Sequence, residues 1–555
     1  MQIDFFTNQY GVIFHKIPFP ITDEYHIGNA YLCNLCGHIL FSKSGAKSHR
    51  CFVLFNQTFR NSYRIRHRAF MHLILRYIAT TNLPYRAANN DFLRNAISII
   101  DPHFSIPGRN KLKEEMINFS HKIRCDMLHE IKNKCVSILF DSCKRWGVNY
   151  QGVVLYTPTR LYLWSAIPTS HSDAELLYDV TSYITDVLAI NGTSVISICS
   201  DNARANIAAY NMLQKDDNEK HHFYRQPCCA HTLNLVISDL MDKDQNYGKL
   251  TNYIKTLMKF LPFGTYREGF NPKLLTQRWS SMYECVSFIV KNYGEYKKSD
   301  NLDVQTALIE INKIIDIQDL KGILLIIWQS IEIVERDFSS ISQIYPLFLI
   351  TYNNLINLNT PAAIQCSKYL KNRFTTTCPL ALPCFAFLLT YQGLEYYRSC
   401  DEQQEILDFA LFGMKEYLNE KRIAKEKIQI CQSSFKFYLE NCDIDEMKKY
   451  PSAVFMWNCV TFRAINKQIS TLFFELAYQV IQIPSTECAV ERMFSALSKV
   501  ASTETCNVKQ ETLNARLIVK FDSVFAAAGQ VSWEKLSQDT TKALKMHKYP
   551  IFLNK

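Results

Sequence analysis

At 555 residues the chain is too long for one compact domain. Its 48% apolar and 21% charged residues, with 16 Gly and 17 Pro, exclude a disordered, collagen-like or low-complexity protein. The net charge is +10, but residues 1–125 hold 16 Lys or Arg against 7 Asp or Glu, so +9 of it falls in the first quarter: a basic head on a near-neutral body, the pattern of a polyanion-binding module joined to something larger.

Residues 1–20 lack a basic segment followed by an apolar run, so no secretory signal is expected there. The longest apolar runs, 322–328 and 381–391, fall short of a membrane span, and no membrane partner is expected. The 19 scattered cysteines then read mostly as small core hydrophobes in a reducing compartment.

The first predicted element is a cysteine cluster. Cys33 and Cys36, followed by His49 and Cys51, set four soft ligands within 19 residues, the arrangement of a small closed structural Zn²⁺ site. The His-x-Cys spacing is tighter than usual, which leaves His38 and His67 open as the fourth ligand. Lys43, Lys47 and Arg50 lie among these ligands, where a finger faces phosphates. A basic run at Arg64, Arg66 and Arg68 follows, then an amphipathic helix marked by Phe70, Leu73, Ile74, Tyr77 and Ile78. Basic helical segments continue to about Lys134.

The pattern then changes to short β-rich runs at 135–140, 150–156 and 160–164, an amphipathic stretch at 173–190, a strand at 194–199 and a helix from about Ala203. That order predicts an α/β layer on a mixed sheet. Residues 249–448 read as almost wholly helical, and 453–525 as a second amphipathic block. In that block Phe462, Ile469, Leu472, Phe473 and Leu476 fall on one helical face, with a further stripe at Val490, Met493, Phe494 and Leu497.

Asp141 and Asp201 each end a predicted strand, at the edge where open α/β sheets expose ligand clefts. If those two strands lie side by side and parallel, the carboxylates reach one cleft and can share Mg²⁺ or Mn²⁺. The alternative is that each Asp merely ends its strand, with Asp201 capping the next helix.

Several separated motifs resemble, in order, those of the hAT-type cut-and-paste DNA transposases. Residues 70–104, including Leu83, Pro84, Tyr85, Asp91 and Phe92, are similar to that family's helical DNA-binding and oligomerisation segment. Cys199, Asp201, Asn202 and Ala203 resemble its second-acid motif, Cys228 and His231 its Cys-x-x-His motif, and Arg278 and Trp279 its Arg-Trp element. The run 483–495, containing Pro484, Ser485, Glu491, Arg492 and Phe494, resembles its C-terminal dimerisation signature. Trp146, Cys229 and Cys488 depart from the family's usual pattern.

The resemblance implies an RNase H-like catalytic core interrupted by a large all-α insertion, preceded by a zinc finger-like module and a helical DNA-binding segment. Its division of the chain would be 25–60 finger, 61–130 helical segment, 131–248 first part of the core, 249–452 insertion, 453–525 dimerisation region completing the core, and 526–555 tail. The implied catalytic acids are Asp141, Asp201 and Glu491, holding Mg²⁺ or Mn²⁺, with His231 near the scissile phosphate and Trp279 stacking on an unpaired base. Helical geometry sets Glu491 on the flank of the Val490 stripe and Arg492 on the far side. The implied function is binding of inverted-repeat ends and metal-dependent cleavage and transfer of DNA strands by a dimer or larger assembly in the nucleus. The rival expectation is a domesticated DNA-binding and dimerising regulator without the reaction; an unrelated metal nuclease ranks behind both.

Overall fold

The computed structural model describes residues 63–100, 105–145, 147–169, 174–215, 222–260, 280–336, 338–500 and 509–528, together with the backbone of four preceding strands. Those strands, β1 (Phe5–Thr7), β2 (Ile13–Ile17), β3 (Ala30–Cys33) and β4 (Ile39–Leu40), form an antiparallel sheet in that order. Cys33 closes β3, while Cys36, His49, Cys51, Lys43, Lys47 and Arg50 lie outside the described residues.

The helical segment comprises α1 (Tyr63–Thr80), a 3₁₀ turn at Tyr85–Asn89, α2 (Asp91–Ile100) and α3 (Arg109–Ile131). The buried face of α1 carries Met71, Leu75 and Ile78, one step round from the predicted stripe, and Tyr77 is exposed. Polar anchors account for the rotation: His72 stacks on Phe119 at 4.1 Å, and Arg76 pairs with Asp522 at 2.6 Å beneath the same ring. Arg68 is exposed on α1; Arg64 and Arg66 fall in its first turn, their side chains outside the described set.

The central sheet has five strands, β5 (Cys135–Arg145), β6 (Val148–Thr157), β7 (Arg160–Thr169), β8 (Ser194–Ser200) and β9 (Tyr224–Pro227), ordered β7-β6-β5-β8-β9. β5, β6 and β7 are an antiparallel meander, β8 runs parallel to β5, and β9 runs parallel to β8. This is the mixed sheet expected, with the two Asp-bearing strands adjacent and parallel. β9, with the sequence Tyr-Arg-Gln-Pro, was not expected because it carries no apolar alternation. β5 also runs past the predicted 140, since its pairing with β6 continues from Asp141↔Gly152 to Arg145↔Val148, beyond the last residue paired to β8.

Alternation along the strands divides the core into two layers. On one face Val136, Ile138, Phe140, Val153, Leu155, Tyr162 and Trp164 pack under Met127 and Ile131 of α3 and under Leu177, Ile184 and Leu188 of α4 (Ala174–Ile190). On the other, Leu139, Val154, Tyr156, Leu161 and Leu163 pack under α7 (Cys488–Val500) and α8 (Gln510–Ala528), after α5 (Arg204–Lys215) and α6 (Cys229–Ser238) in the chain. The helical segment docks on α8 rather than standing apart: Ala515 and Val519 share a cluster with Met71, Leu75 and Phe119. Arg76 and Arg160 both pair with Asp522, at 2.6 and 2.5 Å.

Between α6 and α7 the regular elements of the described residues are helices, from Leu250–Lys259 to Thr471–Val480, around a core that includes Trp457, Tyr417, Tyr438, Phe435 and Phe473. The single face expected from Phe462 to Leu476 is split: one helix ends at Ile465 and the next starts at Thr471, capped by the Ser470 hydroxyl. Phe462, Ile469, Phe473 and Leu476 are all buried within the chain, with Leu472 packed against them. Among the described residues no helix is long and apolar enough to cross a membrane.

Candidate active site

Leu139 and Asp141 alternate onto the same face of β5, the face covered by α7. Asp141 therefore stands just beyond the stretch of β5 paired to β8, looking toward the first turn of α7, which carries Glu491. One position makes the approach possible. Gly152, the β6 partner of Asp141, has no side chain, and a Cβ there would overlap Met493 Cε and lie 2.5 Å from Val490 Cγ1 and 3.0 Å from Phe494 Cζ. An isolated Gly within a strand pattern marks such close approaches, and that signal was present in the sequence.

Asp141 is half-buried, and its Oδ1 accepts a hydrogen bond from the Ser142 N–H at 2.7 Å. Burial pushes its carboxyl up to about 8 against that hydrogen bond, and the charges of Glu491 and then Asp201 push the same way. Asp141 thus lies within electrostatic reach of both Glu491 and Asp201. Asp201 follows the last residue of β8; its Oδ1 accepts from the Ala203 N–H at 2.9 Å and from Asn206 Nδ2 at 2.6 Å. Asp201 thus closes the turn into α5 while its charge acts on Asp141. Arg225 of β9 steadies this turn, donating to Asn202 Oδ1 at 2.5 Å and to the Asp201 carbonyl at 3.2 Å.

The start of α7 is fixed from two sides. Ser485 N–H donates to the Ser339 carbonyl, its own carbonyl accepts from Cys229 N–H, and the Ser339 and Ser485 hydroxyls lie 2.6 Å apart. Ile341 N–H donates to Ile483 O beside a bridge between Ser340 and Pro484. Arg492 is half-buried rather than turned to solvent, because its Nη1 donates to the Glu335 carbonyl of the insertion at 2.8 Å.

A fourth acid escaped the sequence reading. Glu487, one turn before Glu491, is 2% exposed, and its Oε2 has no hydrogen-bond partner among the described residues. Burial raises its carboxyl well above the ordinary range, and the nearby Cys228 thiol and Asp141 add to the effect. Its i, i+4 spacing to Glu491 was the available signal.

His231 is half-buried at the first turn of α6, and its backbone N–H donates to Cys228 Sγ at 3.4 Å, so the Cys-x-x-His spacing here forms a helix cap. Cys229 and Cys488 are buried. Trp279 and Trp146 lie outside the described residues.

A hard divalent cation fits the chemistry of Asp141, Asp201 and Glu491: all donors are carboxylate oxygens, and the repulsion that Glu491 and Asp201 exert on Asp141 is what such an ion relieves. As the side chains stand, no group of three His, Cys, Asp or Glu among the described residues is gathered closely enough to hold a metal ion. No model of a known protein family and no curated protein matches the chain.

Proposed function

We propose that the chain is a DNA transposase of the hAT type, cleaving and joining strands through Asp141, Asp201 and Glu491 on an RNase H-like core. The observation that carries the proposal is that Asp201 and Glu491 both act on Asp141: parallel neighbours β5 and β8 lead to the two aspartates, and α7, seated on Gly152, presents the glutamate. A meander of three antiparallel strands followed by two parallel ones, in the order β7-β6-β5-β8-β9, supports the core assignment, as does the helical insertion between the second and third acids. The basic first quarter and the ordered motifs from Cys199 to Ser495 support duplex DNA, a second copy of the chain and the nucleus as its setting.

The three carboxylates would hold Mg²⁺ or Mn²⁺, which when bound activates water or a DNA 3′-hydroxyl for in-line attack on a phosphodiester. The chain's own part is to hold the acids together. Gly152 admits α7, Arg225 fixes the Asp201 turn, and the Ser339–Ser485 contact fixes the start of α7. The zinc finger-like module with Cys33, Cys36, His49 and Cys51, and the DNA contacts of Lys43, Lys47, Arg50, Arg64, Arg66, Arg68, His231 and Trp279, belong to the same proposal.

The test is nicking of labelled inverted-repeat ends with Mn²⁺. Cleavage that disappears in Asp141→Ala supports the proposal, and none above that control overturns it. That no three His, Cys, Asp or Glu side chains among the described residues are gathered closely enough to hold a metal ion favours a second reading, a DNA-binding regulator without the reaction. It predicts full function after Asp201→Ala, and loss of function there defeats it.

A further inference from the structure

Two of the acids are each followed in the chain by a residue that reaches into the helical insertion. Asn202 comes after Asp201; its Nδ2 donates to the Thr377 carbonyl at 3.5 Å while its Oδ1 accepts from Arg225. Arg492 comes after Glu491, and its Nη1 donates to the Glu335 carbonyl at 2.8 Å. Both acceptors are C-cap residues: Glu335 closes the insertion helix Ile317–Val334, and Thr377 closes the insertion helix Pro361–Thr376. The last carbonyls of a helix have no partner within it and form its negative end, so a side-chain donor there ties two elements together.

The two capped helices belong to one packed body. They pack on each other and on α6, and Ile331, Val334, Leu370 and Phe374 share the insertion core. The start of α6 closes the circuit through the main chain. Cys228 N–H donates to the carbonyl of Ser200, the last residue of β8, and Cys229 N–H donates to the carbonyl of Ser485, three residues before α7, each at 2.9 Å. A close-packed interior transmits displacement rather than absorbing it, so a shift at one cap is carried to the other.

From this pairing we propose that Asn202 and Arg492 are positioning residues, which make the insertion a frame that sets Asp201 and Glu491 in relation to one another. The Arg492 tie is charged and short, whereas the Asn202 tie is neutral and long, so the frame grips Glu491 more firmly than Asp201. A movement of the insertion would then move both acids, and an event at either acid would be felt at the other. That these carboxylates are reacting groups rests on the function proposed above; the coupling of the two segments does not.

The test is hydrogen exchange of the full chain in EDTA, read by mass spectrometry over two segments. One is 199–207, which holds the Ala203 N–H bonded to Asp201; the other is 488–496, the first turns of α7. Arg492→Ala should speed exchange about tenfold in 488–496, through loss of a charged hydrogen bond, and about threefold in 199–207 across the frame. Asn202→Ala should speed exchange about threefold in 488–496. Arg492→Lys, which keeps one charged donor, should hold both segments near wild-type rates. Ser330→Ala removes a buried contact to the Thr351 hydroxyl inside the insertion and should leave both segments unchanged. Wild-type exchange in the opposite segment of both alanine variants overturns the proposal. So does an equal rise in Ser330→Ala, or a rise in Arg492→Lys as large as in Arg492→Ala. If Arg492→Ala does not fold, the effect of Asn202→Ala on 488–496 decides alone. Cross-talk in a chain that never cleaves DNA would defeat the nuclease reading and leave the frame standing; cleavage without cross-talk would do the reverse.

Discussion

Gly152→Ala tests the packing on which the acid cleft depends. The added methyl would overlap Met493 Cε and approach Val490 Cγ1 to 2.5 Å and Phe494 Cζ to 3.0 Å. Met493 can swing its terminal methyl aside, but Val490 is branched next to the backbone and Phe494 is a rigid ring, so α7 must lift from β6. Overpacking of this kind costs about 1–3 kcal/mol, readable as a lower urea midpoint at unchanged m-value. Lifting α7 also carries Glu491 away from Asp141, and cleavage is expected to fall by more than tenfold, about 1.4 kcal/mol of barrier. Met493→Ala opens a cavity costing roughly 2–5 kcal/mol alone. Combined with Gly152→Ala it should cost less than the sum, because one change makes room for the other. Wild-type stability and cleavage in Gly152→Ala, or strict additivity in the double variant, would refute the seating of α7 on β6.

Asp522→Asn leaves Arg76 and Arg160 without their shared, mostly buried counter-charge, and should destabilise the chain by about 3 kcal/mol in denaturant unfolding. Burial raises Glu420 to about 7 although Tyr210 donates to it at 3.1 Å and Arg225 attracts it; Glu416 adds repulsion. The folded chain thus holds a proton there that the unfolded chain has released between about pH 4.5 and 7, so stability falls as pH rises through that window. Glu420→Gln should match wild type at pH 4 and exceed it at pH 8 in urea titrations. Glu487→Gln replaces a carboxyl that burial drives toward its neutral form, so its unfolding midpoint should stay close to wild type, whereas a large loss would mean the group is charged in the fold.

The strand-end acids were legible because Ile138, Leu139 and Phe140 and then Ile196, Ile198 and Cys199 form apolar runs that stop at a carboxylate. That their strands pair side by side was not, since parallel pairing is set by helices packed on both faces rather than by either strand. β9 was invisible because Arg225 and Gln226 serve the Asp201 turn and the buried interior rather than an apolar face. The rotation of α1 could not be foreseen either, since Asp522, which draws in Arg76, lies 446 residues away in sequence. In the stretch from Phe462 to Leu476 the apolar spacing suits one helix, but Ser470 starts a new one by capping it. Glu487 was passed over beside Glu491 because only tertiary packing buries one and leaves the other half-buried.

The central claim is that Asp141, Asp201 and Glu491 act as one cation-holding unit. Mn²⁺ titration followed by electron paramagnetic resonance tests it most directly, comparing wild type with Asp141→Asn, Asp201→Asn and Glu491→Gln in proteins shown to be folded. Tight Mn²⁺ binding in wild type, weakened at least tenfold in each of the three variants, is the predicted result. Binding that survives unchanged in any one of them, or no binding to the wild-type chain with or without DNA, would contradict it.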